Sequence, residues 1–163
     1  MTEKSLDELY SRPGFMLRRA HQIAVSIFES VMADLKLSPT QFAMLYILAT
    51  QPGIDQITLG HVLGIDRSTT TLVARLLESN GYITRQVSAK DRRRKQLKLT
   101  RKGHALLNKA DKLTALTSEK ILSPFNQDEA RKFLELLDKL TGSLNSISRT
   151  PIKRQPSATS AAD

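Results

Sequence analysis

Residues Gln86 to Gly103 read Gln-Val-Ser-Ala-Lys-Asp-Arg-Arg-Arg-Lys-Gln-Leu-Lys-Leu-Thr-Arg-Lys-Gly, and Arg85 stands immediately before them. From Arg85 to Lys102 there are nine Lys or Arg residues and one acid, Asp91, so the stretch carries +8 of a whole-chain charge of +9. The rest of the chain is balanced to within one charge. On either side, Tyr82 to Val87 and Gln96 to Thr100 alternate in polarity, which predicts two short strands. Ser88 to Lys95 holds nothing apolar larger than Ala89. A segment of that composition cannot join a core, so it projects into solvent as the loop of a hairpin. At its tip, Arg92, Arg93 and Arg94 repel one another unless an anion lies close. A solvated charged loop without a partner is the plain alternative, and the residues upstream decide against it.

Asp66 is placed to cap a helix from Arg67 to Asn80, which Gly81 ends in a left-handed conformation. The apolar spacing puts Leu72, Val73, Leu76 and Leu77 inward and leaves Arg67, Ser68, Thr69, Thr71 and Arg75 outside. Just before it, Thr58 can cap a short helix from Leu59 to Leu63 that Gly64-Ile65 stops, and Gln56-Ile57 fits a short strand. Two helices joined by a tight glycine-containing turn make a helix-turn-helix. Followed by strand, basic loop and strand, the segment is a winged helix-turn-helix. The predicted fold class is therefore mainly α with a small β wing, a winged helix-turn-helix flanked by N- and C-terminal helices.

This order of parts fits duplex DNA. The major groove admits an α-helix whose N-terminal residues reach base edges. Here those are Arg67, Ser68, Thr69, Thr70 and Thr71, with Arg75 one turn further on. Arginine grips guanine in bidentate fashion, hydroxyls serve bases or phosphates, and a threonine methyl meets the thymine methyl. The basic loop then reaches a neighbouring minor groove, whose negative potential suits arginine when it is narrow. The remaining DNA-binding candidates in the stretch are Lys90, Asp91 and Arg93, together with Arg85, Arg92, Arg94 and Lys95 for phosphates.

Working outward, Arg12-Pro13-Gly14 leads into a helix to about Leu35, with Phe15, Met16, Ala20, Ile23, Ala24, Ile27, Phe28, Val31 and Leu35 at helical spacing. Its apolar arc is wider than one face requires, which points to burial against its own domain and against a partner subunit. Ser38 and Gln41 form a capping box with Pro39 at the first position of a very apolar helix to Thr50. Thr100 caps a helix from Arg101 to about Ile121, and Asn126 with Glu129 opens a last one. The organisation expected is a flexible N-terminus at 1–11, N-terminal helices at 12–50, and the DNA-binding lobe at 51–100. C-terminal helices at 101–149 and a disordered tail at 150–163 complete it.

Composition narrows the classes. Apolar residues make up 40% and charged residues 25% of the 163, as in globular proteins. No run approaches the roughly 20 apolar residues of a membrane span, and nothing resembles a signal peptide. A membrane-surface partner calls for a basic amphipathic helix, and here the charge is in a loop. There is no cysteine, which excludes disulfides and thiol metal sites and fits a cytoplasmic protein. His21, His61 and His104 lack partners at metal-ligand spacing. Asp128 and Glu129 read as helix-start charges rather than a catalytic pair. No phosphate-binding glycine loop or nucleophile elbow occurs. Neither an enzyme nor a cofactor is indicated.

From about Arg12 to Leu144 the sequence resembles the MarR family of bacterial transcriptional regulators. Asp91-Arg92-Arg93 followed by Gln96-Leu97-Lys98-Leu99-Thr100-Arg101-Lys102-Gly103 is similar to that family's wing signature, and Ile65-Asp66-Arg67-Ser68-Thr69-Thr70-Thr71 to its recognition helix. The resemblance implies a homodimer whose first and last helices interlock, which gives dimerisation and an effector pocket to the helices at 12–50 and dimerisation to those at 101–149. It also implies that Asp91 pairs with an arginine to shape the wing and that Arg93 enters the minor groove. A two-fold dimer implies a pseudo-palindromic operator with half-sites about 10 bp apart. Arg12-Pro13-Gly14-Phe15 and Arg18-Arg19-Ala20-His21 resemble the first helix of members that answer hydroxycinnamates, aromatic acids or their coenzyme A thioesters. That implies an effector site drawn from Phe15, Arg18, Arg19, His21, Phe42 and Tyr46, and repression relieved by ligand. Exposed arginines and a satisfied interfacial histidine are the alternative there, and a constitutive DNA-architectural protein without effector is the alternative for the whole chain.

Overall fold

Side chains close at hand in the sequence fix most helix starts. The computed structural model describes residues 5–87 and 95–153. Helix α1 spans Leu6–Tyr10 and α2 spans Pro13–Val31, followed by a 3-10 turn at Ala33–Leu35. Helix α3, Pro39–Thr50, opens on the expected capping box: Ser38 Oγ accepts from Gln41 N (3.3 Å) and Gln41 Oε1 accepts from Ser38 N (2.9 Å). Helices α4 (Gln56–Leu63) and α5 (Arg67–Ser79) form the helix-turn-helix. Strands β1 (Ile83–Val87) and β2 (Lys95–Leu99) pair antiparallel, Ile83 opposite Leu99 and Val87 opposite Lys95. Helix α6, Arg101–Leu122, is capped by Thr100, and α7, Gln127–Ser143, by the Asn126–Glu129 box. The architecture is mainly α with a two-stranded wing, as the sequence predicts.

Helix α3 is the hub, touching α2, α4, α5, α6 and β2. Its Met44, Leu45 and Leu48 meet Met32, Leu59, Leu77, Ile83 and Leu97 in a core from which water is excluded. Each such side chain contributes about 1.5–3 kcal/mol by burial. Where α6 begins, the backbones of α6 and the start of the wing nearly touch. Thr100 Oγ1 donates to Gly81 O (2.7 Å), and a Cβ on Gly103 would lie 2.1 Å from Tyr82 O. Only glycine fits there.

Four features depart from expectation. Leu6–Tyr10 form a helix: Ser5 Oγ accepts from Glu8 N (3.1 Å) and starts α1, and Tyr10 packs on Phe15 at 5.2 Å. Helix α2 ends at Val31, and Lys36 turns the chain in the left-handed region (φ 50°). Gln56-Ile57 is not a strand, because Asp55 Oδ1 accepts from both Ile57 N and Thr58 N at 3.1 Å and starts α4 earlier than Thr58 would. The strand-like contact lies just upstream, where Gly53 N donates to Leu97 O (3.1 Å) and Leu97 N donates to Ile54 O (3.0 Å). The tail is not featureless at Thr150, since Thr150 Oγ1 donates to Gly64 O at 2.6 Å.

Helix α7 buries none of its residues. Leu134, Leu136 and Leu140 are exposed on it, as are Met16, Leu17 and Ile23 on α2. Among the described residues, no helix is long and apolar enough to cross a membrane.

Candidate nucleic-acid interface

Asp66 organises the start of α5. Its Oδ1 accepts from Ser68 Oγ (2.5 Å) and Thr69 N (2.8 Å), and its Oδ2 accepts from Thr69 Oγ1 (2.8 Å). These bonds, the Ser68 hydroxyl first, hold its carboxyl far below the ordinary carboxylate range. Thr70 Oγ1 donates to Asp66 O and Thr71 Oγ1 to Arg67 O, both at 2.8 Å, while Gln56 Nε2 donates to Thr71 Oγ1 at 2.8 Å. All four hydroxyl protons of this segment are therefore already engaged. Toward a partner, Ser68 and Thr69 can accept a hydrogen bond and cannot donate one. Phosphate oxygens only accept, so these hydroxyls suit the amino groups of adenine or cytosine better.

The rotation of α5 about its axis differs from the expected one. Thr70 is 1% exposed and so is not available to DNA. It turns toward α4, where a Cβ on Gly60 would be 2.8 Å from its Oγ1. Its back-bond to Asp66 satisfies the hydroxyl and lets the residue pack as if apolar. In exchange Leu72, expected inward, is 69% exposed, and Leu76 is exposed too. Arg67, Ser68, Thr71, Leu72 and Arg75 line one shallow surface. Leu72 is the residue a sequence reading misses: its apolarity argues for the core, and only the register set by Thr70, Ala74 and Leu77 turns it out.

Arg85 is drawn away from the surface. Its side chain is 16% exposed, and its Nε donates to Glu78 Oε2 at 2.7 Å, with Nη2 on the same oxygen. Glu78 is held below the usual carboxylate range chiefly by this bond. Arg85 thus ties the wing's first strand to the end of α5 instead of standing free for phosphate. Lys95 is exposed at the other strand. Lys90, Asp91, Arg92, Arg93 and Arg94 lie outside the described residues. A cleft of about 530 Å³ runs along α5, lined by Arg67, Thr71 and Arg75, by Arg85 and Lys95 at the wing base, and by Arg149 and Lys153 from the tail.

The six expected effector residues fall into two groups. Arg18 lies over the Phe15 ring at 4.8 Å and donates to Gln22 Oε1 (3.1 Å). Phe42 packs on Phe28 (5.8 Å) and Tyr46 (6.0 Å). Phe28 lies thirteen residue steps along α2 from Phe15, about 20 Å at about 1.5 Å per residue. Arg19 and His21 are exposed between them. No group of three or more His, Cys, Asp or Glu among the described residues is placed to hold a metal ion.

A family model described as MarR family matches residues 37–95. The transcriptional repressor CouR, in a structure bound to a 23-mer DNA duplex, is 31% identical to this chain, covering 86% of it and 99% of that chain with a TM-score of 0.77. The chain belongs to the MarR family. Two further structures superpose equally well. The PcaV transcriptional regulator from Streptomyces coelicolor, in complex with its natural ligand, is 29% identical over 88% of this chain and 99% of that one (TM-score 0.77). CouR bound to p-coumaroyl-CoA is 29% identical over 85% and 98% (TM-score 0.77). As a MarR protein, this chain is a DNA-binding transcriptional regulator, built on the winged helix described above.

Proposed function

We propose that the protein is a homodimeric repressor that leaves a pseudo-palindromic operator when it binds a small anionic aromatic compound or its coenzyme A thioester. The observation that carries the DNA-reading part is the free face of α5: Arg67 and Arg75 form no ion pair with any described residue and flank Ser68, Thr69 and Leu72. In this reading Arg67 takes a guanine, Ser68 and Thr69 accept from base amino groups, and Leu72 meets a thymine methyl. Arg93 enters the minor groove, and Arg92, Arg94, Lys90 and Lys95 serve phosphates. Dimerisation through α2, α6 and α7 would cover Leu134, Leu136, Leu140 and Met16. A regulator of this kind works in the cytoplasm, where the chromosome is, and needs no catalytic group.

For the effector, the two groups of aromatic and cationic residues favour an elongated ligand. A coenzyme A thioester is long enough to touch Phe42 and Tyr46 with its acyl ring and Arg18, Arg19 and His21 with its phosphates, whereas a small acid reaches one group alone. Footprinting of the purified protein across its own genomic neighbourhood gives the operator. A mobility-shift titration with p-coumaric acid, protocatechuic acid and p-coumaroyl-CoA then tests release. The expected result is release by the thioester at lower concentration than by either acid. A footprint that no compound of this class relieves would leave a constitutive DNA-binding protein in its place.

A further inference from the structure

The last described residues are fastened to the helix-turn-helix. Thr150 Oγ1 donates to Gly64 O (2.6 Å) and Lys153 N donates to His61 O (3.3 Å). Asn145 grips Ile152 from the other side, its Oδ1 accepting from Ile152 N (2.9 Å) and its Nδ2 donating to Ile152 O (3.0 Å). The Ile152 side chain lies directly over Gly64, where an added Cβ would be 2.7 Å from Ile152 Cγ1. Gly64 has φ +66°, so its backbone favours glycine as well. Both anchors, His61 in the last turn of α4 and Gly64 at its C-cap, sit where the chain turns into the recognition helix.

This fastening puts two cations where cations are already crowded. Arg149 and Lys153 stand on the rim of the 530 Å³ cleft that Arg67, Arg75 and Lys95 also line. Neither Arg149 nor Lys153 makes an ion pair with a described residue. Two acids, Asp55 and Asp66, line the same cleft, and both are engaged: Asp66 by Ser68 and Thr69, Asp55 by Ile57 N and Thr58. Like charges gathered on one cleft repel, and four hydrogen bonds hold the segment that carries two of them in place against that repulsion. A polyanion removes the cost.

We propose that Arg149–Lys153 is a strap that forms a second phosphate-gripping edge of the DNA interface, on the same cleft along the recognition helix that the base of the wing lines. The proposal rests on the DNA-binding reading above. Its partner is the phosphodiester backbone of duplex DNA, so its effect is independent of sequence. Lys95 holds the backbone at the wing base, and Arg149 and Lys153 hold it at the strap.

The test uses the full-length chain, a fluorescein-labelled duplex of scrambled sequence, and anisotropy titrations across a range of salt. The charge variant is Arg149→Gln with Lys153→Gln. The unfastened variant is Asn145→Ala with Thr150→Val, which keeps both charges and removes their placement. The expected result is that the charge variant binds about tenfold or more weakly at low salt. Its plot of log K against log salt should flatten by about 0.9 for each phosphate no longer neutralised. The unfastened variant should lose part of the same slope. If the parent protein shows no salt-dependent DNA binding, the DNA-binding reading itself fails. If the parent binds and the charge variant matches it in affinity and slope, the strap alone is overturned. Tighter binding by either variant overturns it too, since the segment would then be a cover over the interface. Arg149 and Lys153 are exposed, so the charge variant decides the matter even if the unfastened one folds poorly.

Discussion

Arg85 Nε lies 2.7 Å from Glu78 Oε2, joining the first strand of the wing to the last turn of the recognition helix. The two parts of the interface are thereby set at one angle to each other. Glu78→Gln should cost about 1 kcal/mol of stability, because the pair is partly exposed and solvent screens it. The sign with pH follows from the lowered Glu78 carboxyl. Its contribution is complete above the ordinary value of 4.5 and is lost as pH falls through the lower, folded value. Urea unfolding at pH 7 and at pH 3.5 checks both points: the difference between parent and Glu78→Gln should shrink at the lower pH.

Asp66 makes a sharper case. Its carboxyl is lowered further, so α5 should keep its cap throughout the neutral and mildly acidic range and lose it only in strong acid. Operator affinity should accordingly show no step from this group between pH 5 and pH 8. Asp66→Ala should remove the cap and free the protons of Ser68 and Thr69. The expected outcome is a frayed helix start and a shifted base preference, read by selection of bound duplexes from a random pool.

Leu72 reads the thymine methyl in the proposed complex, and that single contact can be isolated. Leu72→Ala should weaken operator binding, and replacing one thymine by uracil in the operator should do the same. Combined, the two changes should cost no more than either alone, since each removes the same contact. Strict additivity at every thymine tested would assign Leu72 elsewhere.

Gly103→Ala should destabilise the fold by about 3 kcal/mol or more, because the new Cβ would run into a backbone oxygen that cannot rotate away. Chemical denaturation measures it. Gly142→Ala, with open space around it, is the control and should be neutral or slightly stabilising.

The parts of this fold that were legible in the sequence are those decided within a few residues. Ser38 with Gln41, Asn126 with Glu129, and Asp66 before Arg67 each state a helix start through chemistry that reaches only three positions along the chain. The same logic was available at Ser5 and Glu8 and at Asp55, where polar composition hid the first and an apparent strand hid the second. Rotation of the recognition helix was not legible, because polarity ranks Leu72 above Thr70 for burial while the close approach of Gly60 selects Thr70. The docking of Thr150 on Gly64 spans 86 residues and leaves no local mark. Nor does anything in the spelling of Arg85 reveal that Glu78 already holds it.

Helix α7 has no buried residue of its own, yet it carries a row of leucines. A helix in that position has little reason to persist in an isolated chain, so the cooperative unit that melts should be larger than one polypeptide. The melting temperature should then rise with protein concentration, as mass action requires when folding and assembly are one event. Leu136→Lys should abolish that dependence and lower the mass seen in sedimentation. The cell's supply of this regulator would accordingly set how much of it is folded, as well as how much DNA it occupies.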